Sequence, residues 1–401
     1  MRLEERIPNP KAKQIFAAIR RHGTVSKAEL IKESGMTVST LSRVLDDLIA
    51  RGLIEEVGYG ASTGGRRPIL YRINPDYGRI FGLDISRTAV RLLLCDMLLN
   101  TVSSRTWPMD EAMTPDKLVR EVSAAVLKMI RMHQLEKEQV LGMGIGAVGP
   151  LDRVHGRIEK PQYFPAPGWE NVSIGQMFHE RLDLPILLDN GANYALLGEY
   201  WAHGKDEYSH QLYIHVGVGL RSAMMSDRKL VYGAVDMEGA LGQMVIEVDG
   251  RPAREPGGNY GALESYATTY ALEKEARMAL KLGRESVMNK LCPDPDQLKF
   301  HMIILALEQG DALAKELIMQ AASYFGTGLA NLLNILHPER VILGGPLIVS
   351  NDLFFECAIE VARKKTYYYP KYQVKFTKSR LGADAVCIGA AVQVLNRMEN
   401  T

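Results

Sequence analysis

Four apolar runs in this chain end in glycine-bearing turns. Residues 140–148 close on Gly146-Ala147-Val148-Gly149-Pro150, and 186–189 run into Asn190-Gly191-Ala192-Asn193. Residues 212–216 feed Gly217-Val218-Gly219, and 341–343 feed Gly344-Gly345-Pro346. Upstream, 79–96 reads as two apolar strands joined by the tight polar turn Ser86-Arg87-Thr88. Runs this apolar are buried strands, and the segments between them have helical character. Strands that alternate with helices and end in glycine turns indicate an α/β protein.

With 401 residues, two to three domains are expected. At 46% hydrophobic and 24% charged residues, the chain can bury a core and is too apolar for bulk disorder. No apolar run approaches the ~18 residues of a membrane-crossing helix. Met1-Arg2-Leu3-Glu4-Glu5-Arg6 lacks the apolar segment of a secretory signal. A cytoplasmic protein without membrane association is therefore expected. The cysteines (Cys95, Cys292, Cys357, Cys387) are far apart, so neither a disulfide framework nor a cysteine zinc site is expected.

The net charge of +1 is unevenly spread. Residues 1–80 hold 14 Lys and Arg against 9 Asp and Glu, and the remainder holds 34 against 38. The basic segment has its own pattern. Ile15, Phe16 and Ile19 mark one helix from Pro10 to His22. Ser26-Lys27-Ala28-Glu29 is a capping box that opens a second, which Gly35 closes. A third starts near Thr37 and carries the stripe Leu41, Val44, Leu45, Leu48, Ile49. Only a Gly-Met turn separates the last two, which is helix-turn-helix spacing. Ser39, Thr40, Ser42 and Arg43 lie near the start of the third helix, where recognition helices meet bases and phosphates. Two strands follow, around 53–57 and 68–73, joined by a glycine-rich tip with Arg66-Arg67-Pro68. A hairpin there makes a winged helix-turn-helix, and its arginines can reach a narrow minor groove.

From about residue 10 to 395 the chain resembles the ROK family (repressor, open reading frame, kinase), and most closely the repressor branch that includes the xylose and N-acetylglucosamine repressors. The resemblance rests on Ser62-Thr63-Gly64-Gly65-Arg66-Arg67-Pro68, residues 142–152, Pro167-Gly168-Trp169-Glu170-Asn171-Val172, residues 189–199, Gly233-Ala234, Glu238-Gly239-Ala240-Leu241-Gly242-Gln243, and Gly261-Ala262-Leu263-Glu264-Ser265-Tyr266-Ala267. It implies a winged helix-turn-helix over 1–75 and a two-lobed, actin/hexokinase-like body over 76–401. It also implies operator DNA and a sugar or sugar-derived effector as partners, and a homodimer or homotetramer.

Against the family's kinases, three features are lost. The aspartate that acts as base is Gly191, which cannot take a proton. The first phosphate loop, normally Asp-x-Gly-Gly-Thr, reads Asp84-Ile85-Ser86-Arg87-Thr88. The second, normally Gly-Thr-Gly, reads Gly217-Val218-Gly219. The family's zinc site is lost too: its histidine is Gln243, and its cysteines are missing from 251–262. No cofactor and no catalysis are expected. By family position Asn190, Gly191, Gln243 and Glu264 line an effector site, and a further sugar-contacting glutamate is replaced by Ala240. The expected function is a DNA-binding regulator, a repressor of carbohydrate genes with a dead kinase site. A sugar kinase with an appended DNA-binding head and an interaction protein captured by a sugar-transport component remain open alternatives.

Overall fold

The computed structural model describes residues 3–60, 67–203, 208–236, 238–254, 257–369 and 371–399. The chain forms two compact units, Met1–Trp201 with Val386–Thr401, and Ala202–Ala385.

The first unit begins with the basic segment. Helix α1 (Pro10–His22) is capped by Asn9, whose side chain accepts from the Ala12 amide at 2.9 Å, and it ends at Gly23. Helix α2 (Lys27–Ser34) opens on the expected capping box, with the Ser26 amide donating to Glu29 Oε2 at 2.8 Å. It closes on Gly35, whose φ of 66° is the left-handed geometry that glycine adopts freely. Helix α3 (Val38–Ala50) buries Leu41, Val44, Leu45 and Leu48, as its stripe predicts. The wing has one strand more than expected: β1 (Thr24–Ser26), β2 (Ile54–Tyr59) and β3 (Ile69–Ile73) form a sheet in the order β1-β3-β2. The wing tip, 61–66, with Arg66, lies outside the described residues.

Beyond the wing come β4 (Arg79–Ile85), β5 (Ala89–Cys95), β6 (Thr101–Pro108), β7 (Val140–Ala147) and β10 (Ile186–Asn190), with the short pair β8 (Leu151–Asp152) and β9 (Arg157–Ile158) between the last two, helix α4 (Pro115–Met132) before β7 and helix α5 (Ile174–Leu182) before β10. The five-stranded sheet runs β10-β7-β4-β5-β6. Strands β10, β7 and β4 are parallel, and β5 and β6 are antiparallel additions. In the second unit β11 (Gln211–Val216), β12 (Leu220–Ser226), β13 (Lys229–Leu230), β14 (Arg340–Gly344) and β15 (Lys375–Lys378) run β13-β12-β11-β14-β15. Numbered in chain order within each five-stranded sheet, both have the order 3-2-1-4-5. One topology thus occurs twice, the duplication expected of an actin-like body. Each unit has its own core, around Phe81, Leu92 and Phe178 in the first and Ile214, Phe325 and Phe354 in the second. Among the described residues no helix is long and apolar enough to cross a membrane.

The helix Ala385–Glu399 belongs, but for its first residue, to the first unit. It lies backbone to backbone against that unit's elements. A Cβ on Gly82 would overlap the carbonyl oxygen of Cys387, and one on Gly389 would overlap that of Tyr194 in helix α6 (Gly191–Ala202). Glycine is required at both contacts because no side chain fits between them. The far end of this helix holds the head. Arg20 of α1 is 9% exposed and donates to both carboxylate oxygens of Glu399, with Nη2–Oε2 at 2.7 Å, and to Asn396 Oδ1 at 2.5 Å. Its guanidinium lies 5.3 Å from the ring centroid of Trp201, near the end of α6. Arg397 pairs with Glu4 at 2.5 Å.

Candidate functional site

Helix α3 presents Ser39 and Arg43, one turn apart, as exposed side chains. Thr40 and Ser42 are half-buried and partly engaged. The Thr40 amide donates to Thr37 Oγ1 at 3.3 Å, and Ser42 receives Lys27 Nζ at 2.5 Å while donating to the Val38 carbonyl at 2.7 Å. Arg67 is exposed just beyond the wing tip. Lys27 was not singled out in the sequence. It lies beside the α3 face only because α2 folds back across the short turn.

In the first unit, Asn190 and Gly191 mark the junction of β10 and α6. Asn190 is fully buried, and its Oδ1 accepts from the Ala192 amide at 2.9 Å, so it caps α6. Asp189 is fixed beside it: Oδ1 accepts from the Asn190 amide at 2.7 Å and from Asn193 Nδ2 at 3.0 Å. Gly191 is buried at the first helical position and offers no group to take a proton. In the loop between β4 and β5, Arg87 Nε donates to the Gln162 carbonyl at 3.0 Å, and its guanidinium lies 5.5 Å from the Tyr163 ring centroid. A long cationic side chain thus occupies the loop where bare backbone amides approach a phosphate in the kinases. The residues here do not fit ATP.

In the second unit, Gln243 and Glu264 come together, with Nε2 donating to Oε1 at 2.6 Å. Gln243 Oε1 also accepts from the Asn259 amide at 2.9 Å, and its carbonyl accepts from Asn259 Nδ2 at 2.9 Å. This is how the Pro/Gly loop closes at the position of the family's zinc histidine. An amide bridges two segments where imidazole and thiolates would grip a metal, and these donors do not fit zinc. Farther along, the Arg251 amide donates to the Tyr266 hydroxyl at 2.6 Å, and its guanidinium pairs with Glu275 at 3.1 Å and lies 4.6 Å from the Tyr266 ring centroid. Burial raises the Tyr266 hydroxyl above the usual phenol range. Asn259 and Arg251 carry no sequence signal, because their partners lie across an irregular loop. Gln243→Ala removes the bridge and is expected to cost about 0.5–1.5 kcal/mol of stability, the net range for an ordinary hydrogen bond. The measurement is a urea-unfolding midpoint, and an unchanged midpoint would show that the loop is held from elsewhere.

The ROK family model matches residues 80–397. The chain belongs to the ROK family. The MarR family model matches residues 8–67 of this ROK protein. The xylose repressor of Caldicellulosiruptor bescii is 29% identical over 374 residues, covering 93% of this chain and 92% of the relative. The fold of this ROK protein is shared by a ROK family transcriptional regulator homologous to the Escherichia coli MLC protein. That likeness has a TM-score of 0.81 at 21% identity, covering 98% of this chain and 97% of the other. The ROK family glucokinase of Streptomyces griseus, in complex with glucose and AMPPNP, matches with a TM-score of 0.68 at 24% identity, covering 79% of this chain and 99% of that one.

Proposed function

We propose that this protein is a cytoplasmic, DNA-binding repressor of carbohydrate genes, with residues 1–75 as its DNA-binding domain and 76–401 as its effector and assembly domain. One observation carries the reading: a helix-turn-helix with Ser39 and Arg43 exposed on α3 is joined to a kinase-like body in which glycine stands at the base position and Arg87 fills the phosphate loop. The repressor names of its relatives support the same reading. The assembly is a homodimer or homotetramer, and the effector is a sugar or sugar derivative met by Asn190, Gly191, Gln243 and Glu264. Ser39, Thr40, Ser42 and Arg43 face the major groove of operator DNA, and Arg66 and Arg67 reach the adjacent minor groove.

The test is a binding titration against a palindrome with half-sites about one or two helical turns apart. Arg43→Ala is expected to weaken specific binding about 10–100-fold, while Arg66→Ala/Arg67→Ala removes preference for A·T-rich flanks. Equal weakening on specific and random DNA would reduce these arginines to general electrostatic contacts. A sugar that acts as inducer must weaken operator binding by the same factor by which operator weakens sugar binding. A sugar that binds equally with and without operator would remove the switch.

A further inference from the structure

The second unit holds a cation that its fold does not use. Arg221, the second residue of β12, is 5% exposed. Its Nε and Nη1 are buried without a hydrogen-bond partner, and among the described residues no carboxylate pairs with it. Burying a guanidinium in this way opposes folding unless an anion arrives to neutralise it. Arg340, the other buried arginine of this sheet, shows the usual arrangement: it donates through Nε and Nη2 to Gln211 Oε1 at 3.0 and 2.6 Å.

The position of Arg221 says what kind of anion fits. In the β11–β12 register Arg221 stands directly opposite His215, so the two side chains are neighbours on one face of the sheet. His215 Nε2 lies 2.8 Å from where a Cβ on Gly217 would stand, which places the imidazole against the Gly217-Val218-Gly219 turn. The Gly217 amide is tied to the Gly219 carbonyl at 3.1 Å, and the Gly217 carbonyl accepts from Thr269 at 2.9 Å. The start of β12 also lies beside the segment Glu238–Gln243: a Cβ on Gly239 would be 3.9 Å from the Leu220 carbonyl. That segment ends in Gln243, hydrogen-bonded to Glu264. The strand that carries Arg221, with an imidazole and a glycine turn beside it, thus runs along the segment that ends in the residue assigned above to sugar hydroxyls.

We propose that Arg221 binds an oxyanion carried by the effector, so that the effector is a phosphorylated or carboxylated sugar and not a neutral one. The proposal rests on the effector reading given under Proposed function. A planar guanidinium takes phosphate or carboxylate through paired N–H donors, and its charge is balanced only when that ligand is bound. A neutral sugar would leave it uncompensated.

Thermal unfolding of the full chain tests this, with inorganic phosphate as the first probe against chloride at constant ionic strength. Phosphate is expected to raise the wild-type midpoint in a concentration-dependent way. In Arg221→Gln the apparent affinity for phosphate should fall about tenfold or more, and Arg221→Lys should retain part of it. Without phosphate, Arg221→Gln should unfold at or above the wild-type temperature, because an unpaired buried charge has gone. Glucose 6-phosphate and glucuronate distinguish the two sources of the anion: the one with the larger Arg221-dependent shift identifies the class. No phosphate response in the wild type, or the same response in Arg221→Gln, would overturn the assignment. So would failure of Arg221→Gln to fold, since that would make Arg221 a structural cation. Equal stabilisation by glucose and glucose 6-phosphate in both proteins would sink the anion site and leave sugar sensing in place. An Arg221-dependent phosphate response with no response to any sugar would do the reverse.

Discussion

Purified protein supplied with ATP and a panel of sugars is expected to release no ADP above background, and Gly191→Asp alone should not change that. A missing general base costs about 10²–10⁴-fold by itself. The neighbouring acid cannot substitute, because Asp189 is held by the Asn190 amide and Asn193 Nδ2. Restoring the aspartate leaves Arg87 across the first phosphate loop, anchored to the Gln162 carbonyl and stacked near Tyr163. It also leaves Val218 in place of a hydroxyl. Since phosphoryl transfer is mostly positioning and charge stabilisation, a base without a phosphate cradle has nothing to act on. A coupled ADP-release assay decides the point. Turnover by the wild-type protein with any sugar would end the dead-kinase reading, and rescue by Gly191→Asp alone would show that Arg87 leaves room for ATP.

The second large effect is expected where α1 meets the C-terminal helix. Glu399→Ala removes the carboxylate that holds Arg20, which is 9% exposed. Breaking a buried ion pair from one side costs about 3–5 kcal/mol, because the other charge is left behind. Asn396 and Trp201 still engage Arg20, so the lower end of that range applies. Replacing both partners with apolar residues, Arg20→Met with Glu399→Leu, should recover most of the loss. Urea-unfolding midpoints of the wild type, Arg20→Met, Glu399→Leu and the double variant form a double-mutant cycle, and a wild-type midpoint in Glu399→Ala would mark the pair as a solvated contact. The adjacent Glu4–Arg397 pair adds a pH dependence. Backbone hydrogen bonding, assisted by Arg397 and opposed by partial burial, holds Glu4 below its ordinary value of 4.5. Its contribution is therefore present above that value and is lost as the pH falls through the folded-state pKa.

What could be read from the sequence was mostly local. The capping box at Ser26, the stop at Gly35 and the stripe of α3 depend on residues within a few positions of each other, and they stand as expected. Strand β1 was missed because three residues carry no period of their own. Its strandedness comes from pairing Val25 with Tyr71, which is distant in sequence. Strand β6 was missed because it is an edge strand, exposed along most of its length except at Trp107, and its Ser and Thr residues resemble a loop. In the site, the losses at Gly191, Arg87 and Val218 were legible because each falls inside a motif. The Gln243–Asn259 bridge, the Arg20–Glu399 pair and the solitary Arg221 were not. Each is defined by a partner, or the lack of one, that only the folded chain supplies.

The order of the chain gives the C-terminal helix a further role. Residues 202–385 are inserted within the first unit, so the segment that backs Gly82 and grips Arg20 leaves the ribosome only after the second unit. Helices α1 to α3 can form early from their own caps and core, but they cannot be anchored to the body until translation has passed the whole second unit. A nascent or prematurely terminated chain would therefore carry a folded head with no fixed seat. Anchoring of the reading head therefore waits on synthesis of the entire effector unit that lies between its two attachment segments.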